Sequence, residues 1–417
     1  MSPGRGGFTP QLQLSYDSGS GNGPFGFGWS ISLPCITRRT DRGLPRYNDD
    51  EESDVFILAG SEDLVPVLDG TGSRAKTLRT VNGSDYEIST YRPRTEGIFS
   101  RIEHWVNSAT GAGHWRTISR DNVSSLYGVD ASGSVSNPAD RTKVFRYELS
   151  RSWDDKGNVA VYDYAAEDST AIDIAAAHER NRDAAGRSTQ RYLKSVRYGN
   201  LQPYFPDWSV AGAETPVPTD WMFQVVFDYG DHSTQSPSPT ADQPWPVRPD
   251  PFSVYRAGFE VRTYRRVHRV LYFHHFPNES SAGADVLVRS TDLVYSDQQT
   301  PADPRNPIYT FLVSVTAVGY GKGTQASMPP LTFRYSQPKI QADVESLDAA
   351  SFENLPEGID GSRFQWVDLN GEGTPGILSG WDGAWGYKPN LSPVNRIAQP
   401  DGSLRTSAEF GSVASLY

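Results

Sequence analysis

The sequence has little of what would staple a fold covalently or anchor it in a membrane. It contains a single cysteine, Cys35, in 417 residues. No intramolecular disulfide can form, so stability has to come from packing. No run of 18 apolar residues occurs. "IYTFLVSVTAVGY" comes nearest and is too short and too broken by polar residues to cross a bilayer as a helix, so no direct membrane insertion is expected. No basic-then-apolar leader follows Met1, which runs straight into "SPGRGGFTP". Positive charge is in deficit, with 39 Lys and Arg against 50 Asp and Glu and a net charge of −11. Nucleic-acid binders carry a basic excess, so no nucleic-acid partner is expected.

Catalytic signatures are missing as well. There is no G-x-S-x-G elbow, and Cys35 sits beside Pro34 with no histidine close in sequence. "GYGKGT" places Gly323 after Lys322, where a phosphate loop needs Ser or Thr, and Thr316 where it needs its first glycine. No Glu-x-Glu pair occurs, and no spacing marks out an acid pair for glycoside hydrolysis. The residues therefore supply no catalytic set, and the chain is expected not to be an enzyme.

Turn formers and aromatics are abundant: 38 Gly, 30 Pro, 21 Tyr, 18 Phe and 10 Trp. That mixture favours short strands over long helices. Strand-like alternation recurs in "DVFILAG" (54–60), "NVAVYDY" (158–164), "WMFQVVFDY" (221–229) and "PLTFRYS". In the third of these Trp221, Phe223, Val225, Phe227 and Tyr229 fall on one face, and in the last Leu331, Phe333 and Tyr335 do so. One short helix is predicted in "EDSTAIDIAAAHERNRDA", with Asp168 or Ser169 as N-cap, lying on a sheet surface. Composition shifts near 337–360, which places a boundary between a unit of residues 1–340 and a second of 345–417.

Three motifs invite a ligand. In "GSGNGPFGFGW" Gly21, Gly23 and Gly26 match the dinucleotide fingerprint G-x-G-x-x-G. Phe27, Trp29, Ile31 and Leu33 then alternate with small residues, so a strand rather than a helix follows, and Pro24 removes one amide donor. Residues 12–33 are therefore expected to form two strands joined by a Gly-rich loop, without a bound nucleotide. "DLNGEGTPG" (368–376) resembles the calcium loops of some β-propeller blades, with Asp368, Asn370 and Glu372 at alternate positions. Gly376 replaces the usual further acid, so a plain turn is expected and calcium is the weaker alternative. In "RRVHRVLYFHH" His274 and His275 point to opposite faces of a strand, and His268 lies about 20 Å from His274 along it, so zinc is not expected. Arg262, Arg265, Arg266 and Arg269 around them read as a solvated face or a partner contact.

Taken in order, these stretches resemble one known family. "GRGGFTPQLQLSYDSGSGNGPFGFGWSISLPCITRRTDRGLPRYND" is similar to the N-terminal region of the Salmonella virulence plasmid B protein (SpvB) family, a region that also opens the B subunit of insecticidal Tc toxin complexes. The likeness continues through "SDVFILAGSEDLVPV", "RDNVSSLYG", "VYDYAAED", "AHERNR", "QRYLKSVRYGN", "FEVRTYRRVHRVLYFHHFP" and "PPLTFRY" into "WVDLNGEGTPGIL", and so covers nearly the whole chain.

The resemblance implies a mainly β fold: a large multi-stranded antiparallel domain over 1–340, followed at 345–417 by the start of a β-propeller. It implies a structural role in a secreted toxin, held in the cytoplasm before release. There B and C subunits form a hollow shell around a toxic effector, and the propeller docks that shell onto the channel-forming A subunit. One alternative is the carrier region of an SpvB-like virulence protein, whose ADP-ribosyltransferase domain, with its Glu-x-Glu pair, is not in this sequence. Another is an extracellular adhesin or carbohydrate-binding β protein. No cofactor is implied. Because the sequence opens almost at "GRGGFTP" and stops soon after the propeller-like region begins, a fragment is expected, with a frayed end at "RTSAEFGSVASLY".

Overall fold

A computed structural model describes residues 1–58, 62–206, 216–279, 283–298, 309–321, 323–336, 344, 346–354, 361–371, 373–381, 383–400, 402 and 404–416. The chain divides into two compact units, Met1–Gln337 and Pro338–Tyr417.

The first unit is one large antiparallel sheet that closes on itself as a barrel. The closing circuit runs through Cys35–Arg38, Phe56–Leu58, Glu62–Pro66, Ser84–Pro93, Arg101–Asn107, Gly113–Ile118, Ser124–Tyr127 and Val144–Trp153, and returns to Cys35–Arg38. Val144–Trp153 is the junction. Along one edge it pairs with Ser134–Ser136 and then Ser124–Tyr127. Along the other it pairs with Cys35–Arg38 and then Val159–Ala166. Register shifts at Val135/Ser136 and Leu126/Tyr127 mark bulges, which bend and twist a strand enough to serve successive partners.

From that junction an antiparallel arm leads through Val159–Ala166, Arg191–Asn200, Trp221–Asp228, Arg269–Phe276, Gly283–Tyr295 and Leu312–Gly321. Thr324–Ser327 and Leu331–Thr332 both pair with the last of these.

Period-2 alternation gives the arm two buried faces. In Val159–Ala166, Ala160 and Tyr162 enter the main core, while Val159 and Val161 join a second cluster with Leu126, Trp153, Tyr204 and Trp221. Trp221 therefore departs from the expected stripe: Phe223, Val225, Phe227 and Tyr229 belong to the main core and Trp221 does not. Inside the circuit Trp115 is fully buried, with Phe56 and Tyr91 each 4.9 Å away and His104 stacked on it at 4.4 Å.

The expected strands around the Gly-rich loop are present. Leu14–Tyr16 pairs with Trp29–Ile31, and Asn22–Gly23 pairs with Gly26–Phe27. Gly26 has φ +89°, and a Cβ there would stand 2.7 Å from the Thr310 carbonyl oxygen. The same oxygen accepts the Phe27 amide hydrogen at 2.8 Å. The glycine lets two backbones meet, which is what it supplies here in place of a phosphate cradle.

The predicted helix is corrected. Residues 167–183 run through turns, and Ser169 and Ala171 have φ of +65° and +61°, which no right-handed helix accommodates. Among the described residues α-helix occurs only at Ala184–Arg187, where the Asp183 side chain caps the Gly186 amide, and at Ala349–Phe352. Ala-rich composition favoured a helix, but Glu167 and Glu179, at either end of the stretch, are drawn inward by arginines far along the chain.

The second unit carries an antiparallel sheet of Phe364–Val367, Gly376–Trp381, Ala384–Lys388 and Ala414–Leu416, and a two-stranded ribbon, Arg396–Ala398 with Leu404–Thr406. The expected fraying is also corrected. Ala414–Leu416 is hydrogen-bonded to Ala384–Lys388, because Trp385 and Tyr387 present it with an open edge.

Candidate functional site

The arginines of "EVRTYRRVHR" are not a solvated face. Each holds a carboxylate from a distant segment. Arg265 Nε donates to Glu167 Oε2 at 2.8 Å, Nη2 also reaches Glu167, and both side chains are 0% exposed. The remaining Arg265 donors go to the carbonyls of Trp245 (2.7 Å) and Thr170 (2.8 Å), and the guanidinium lies 4.6 Å from the Trp245 ring centre. Arg262 Nε donates to Glu179 Oε1 at 3.0 Å, and the Tyr264 hydroxyl donates to Glu179 Oε2 at 2.6 Å. Arg266 pairs with Asp297 at 2.8 Å and Arg269 with Asp228 at 2.7 Å.

A fifth arginine locks the Gly-rich hairpin. Arg248 donates to Asp250 (2.8 Å), to the Gly23 carbonyl (2.8 Å) and to Asn22 Oδ1 (2.8 Å). Asp250 also accepts from Asn22 Nδ2 at 2.7 Å, from the Thr310 amide at 2.9 Å and from the Thr310 hydroxyl. Burial works against ionisation of Asp250, but Arg248 and these donors outweigh it and hold the carboxyl below the usual carboxylate range.

Such pairs specify shape more than they add stability, because removing two charges from water offsets most of their attraction. The irregular segments at 167–190 and 245–250 are thereby fixed against the sheet. What the arrangement does chemically is hold geometry, since these arginines already have carboxylate partners.

The other sequence candidates are not brought together. His274 Nε2 lies 2.7 Å from Ser2 Oγ, and His275 Nδ1 lies 2.6 Å from Asp285 Oδ1. The His268 amide donates to the Asp228 carbonyl. Cys35 is half-buried, and desolvation with Glu148 nearby pushes its thiol up to about 11, so it stays protonated at neutral pH. Asp368 Oδ2 accepts the Gly373 amide hydrogen at 2.7 Å, closing its own loop, while Glu372 lies outside the described residues. Among the described residues no cluster of three His, Cys, Asp or Glu is placed to hold a metal ion, and no helix is long and apolar enough to cross a membrane. Nothing in the sequence pattern marks Glu167, Glu179 or Asp250 as partners: Glu167 and Arg265 stand 98 residues apart.

The comparisons with known proteins fit this wall-like architecture. Residues 1–276 match the family model described as Salmonella virulence plasmid 65kDa B protein. A relative from Salmonella typhimurium strain 14028s, named mono(ADP-ribosyl)transferase SpvB, is 37% identical over 323 residues, 75% of this chain and 51% of its own length. The chain thus spans about half the length of the curated relatives it matches. The solved N-terminal domain of effector protein SpvB from Salmonella typhimurium strain LT2 is 35% identical with a TM-score of 0.66, covering 76% of this chain and 96% of that domain. The TcdB2-TccC3 crystal structure is 31% identical with a TM-score of 0.78, covering 98% of this chain and 19% of that one. The Photorhabdus luminescens Tc holotoxin pore is 30% identical with a TM-score of 0.75, covering 99% of this chain and 18% of that one.

Proposed function

The chain belongs to the Salmonella virulence plasmid 65kDa B protein (SpvB) family, and from that membership we propose that it forms part of the shell of a secreted bacterial toxin. The observation that carries this reading is the match of 98% of the chain to TcdB2-TccC3 at a TM-score of 0.78. In this reading the closed sheet and its arm are wall. They surround a toxic effector segment supplied by a C-type subunit, and the second unit begins the propeller that meets an A-type channel subunit. A wall needs rigidity, which the buried arginine pairs supply.

The chain itself is proposed to be non-catalytic. The regions it resembles are an N-terminal domain and a shell stretch, and it has no Glu-x-Glu pair. Purified protein given labelled NAD and actin should transfer no ADP-ribose. The loop at 368–376 is proposed to be a turn closed by Asp368 rather than a calcium site, so micromolar calcium should leave the melting temperature unchanged.

A second reading, carrier region of an SpvB-like protein, is favoured by the 96% coverage of the solved SpvB domain. A chimera separates the two. Residues 1–417 replace the matching stretch of TcdB2, and the assembled complex with TccC3 is treated with protease. The shell reading expects an assembled particle with its enclosed segment protected; failure to assemble favours the carrier.

A further inference from the structure

Arg191, only 8% exposed, has no carboxylate within ion-pair distance among the described residues, unlike Arg38, Arg248, Arg262, Arg265 and Arg266. Its Nε donates to the Ala131 carbonyl and its Nη1 to the carbonyls of Ser188, Thr189 and Gln190, which leaves Nη2 without a hydrogen-bond partner among the described residues. Burial and the neighbouring Arg141 shift its pKa below that of an ordinary arginine, outweighing the more distant carboxylates of Glu148 and Asp130. Arg187 is also buried without a carboxylate, but it does not line the cavity that Arg191 lines.

That cavity measures about 220 Å³ and lies where the tip of the Gly-rich hairpin, the Phe252–Val254 and Val261–Thr263 ribbon, and the Ser134–Ser136 and Val144–Trp153 strands meet. Its lining joins apolar side chains, Phe145, Phe252 and Val261 among them, to two cationic residues. One of these, Arg146, is already neutralised by Glu148 at 2.6 Å. Arg191 is not. A guanidinium with free N–H groups facing a cavity is placed to donate to an anion there, and carboxylate oxygens match its geometry. The apolar lining gives a bare inorganic anion nothing to pack against, whereas an organic acid would bury its body there. The volume falls below the ~300 Å³ at which drug-sized sites begin, so the acid is small.

We propose that this cavity binds a small carboxylic acid with an apolar body, its carboxylate on Arg191 and its body against Phe252 and Val261. The probe is 3-phenylpropionate, titrated calorimetrically into the full chain. Saturable binding of one equivalent is expected, with 3-phenylpropionamide and inorganic phosphate each at least tenfold weaker. Arg191→Gln should weaken phenylpropionate by the same factor. Val254, a lining residue 40% exposed, tolerates a larger side chain without disturbing the core, so Val254→Trp should block binding while the protein melts as the parent does. The proposal is overturned by an absence of saturable binding, by equal affinity for the amide or phosphate, or by full affinity in Val254→Trp. Should Arg191→Gln fail to fold, the amide comparison and Val254→Trp still decide.

Discussion

Glu167 and Arg265 meet where neither is exposed to water, so losing one leaves the other charged and unpaired. Glu167→Met or Arg265→Met alone should cost about 3–5 kcal/mol in urea unfolding, and the double variant should recover part of it, because an apolar pair of similar volume needs no charge desolvation. Gly28 tests the hairpin. With φ +78° and the Tyr16 ring 2.5 Å from a would-be Cβ, Gly28→Ala should lower stability by roughly 1–3 kcal/mol. Two histidines set a pH window. Burial pushes His104 down to about 3 and His114 down to about 4, and Nε2 of each is buried without a hydrogen-bond partner among the described residues. Their folded pKa values lie below the unfolded 6.5, so protonation favours the unfolded chain. Stability from this source is full above pH 6.5 and falls as pH drops from there towards 4 and then 3. Among carboxylates held low, Asp49 and Asp250 begin to contribute only near 3.8. Urea midpoints should therefore fall between pH 6.5 and 4.5, and a His104→Gln/His114→Gln variant should reduce that slope, leaving the part that His268 and His274, also lowered by burial, contribute.

Elements differ in how far the sequence announced them. Strands rich in β-branched and aromatic residues were legible: Val159–Ala166 and Trp221–Asp228 carry that composition, which needs no tertiary information, although which faces they bury does. The helix was not, because the conformation at 167–183 is decided by Arg262 and Arg265, remote in sequence, and tertiary pairing overrides a weak local propensity. The arginine pairs themselves were illegible for the same reason: ion pairing leaves no periodic trace. The hub strand was not legible either, since serving several partners is a property of neighbours and bulges. Val144–Trp153 should show amide protection close to that of global unfolding in hydrogen exchange. Among the described residues Lys76–Val81 pairs only with Ser84–Pro93, and it exposes Leu78 at 76%, so its amides should exchange far sooner. Lys76 and Arg79 on that strand are the charges that discourage pairing with another chain.

For the whole molecule, the apolar residues buried in the second unit are few. Among its described residues only Ile377 and Tyr387 are hydrophobic and buried, whereas the first unit carries an extended core. Calorimetry should resolve two transitions, with residues 338–417 melting first; a single transition for the whole chain would contradict this. The hairpin lock also sets a clock for biosynthesis. Asn22 finds its partner Asp250 228 residues further along. At 5–20 residues per second a ribosome needs roughly 10–45 s to bridge that gap. Throughout that interval the nascent N-terminus carries a hairpin whose closing partner has not been made, and a chaperone that shields hydrophobic segments has that long in which to act.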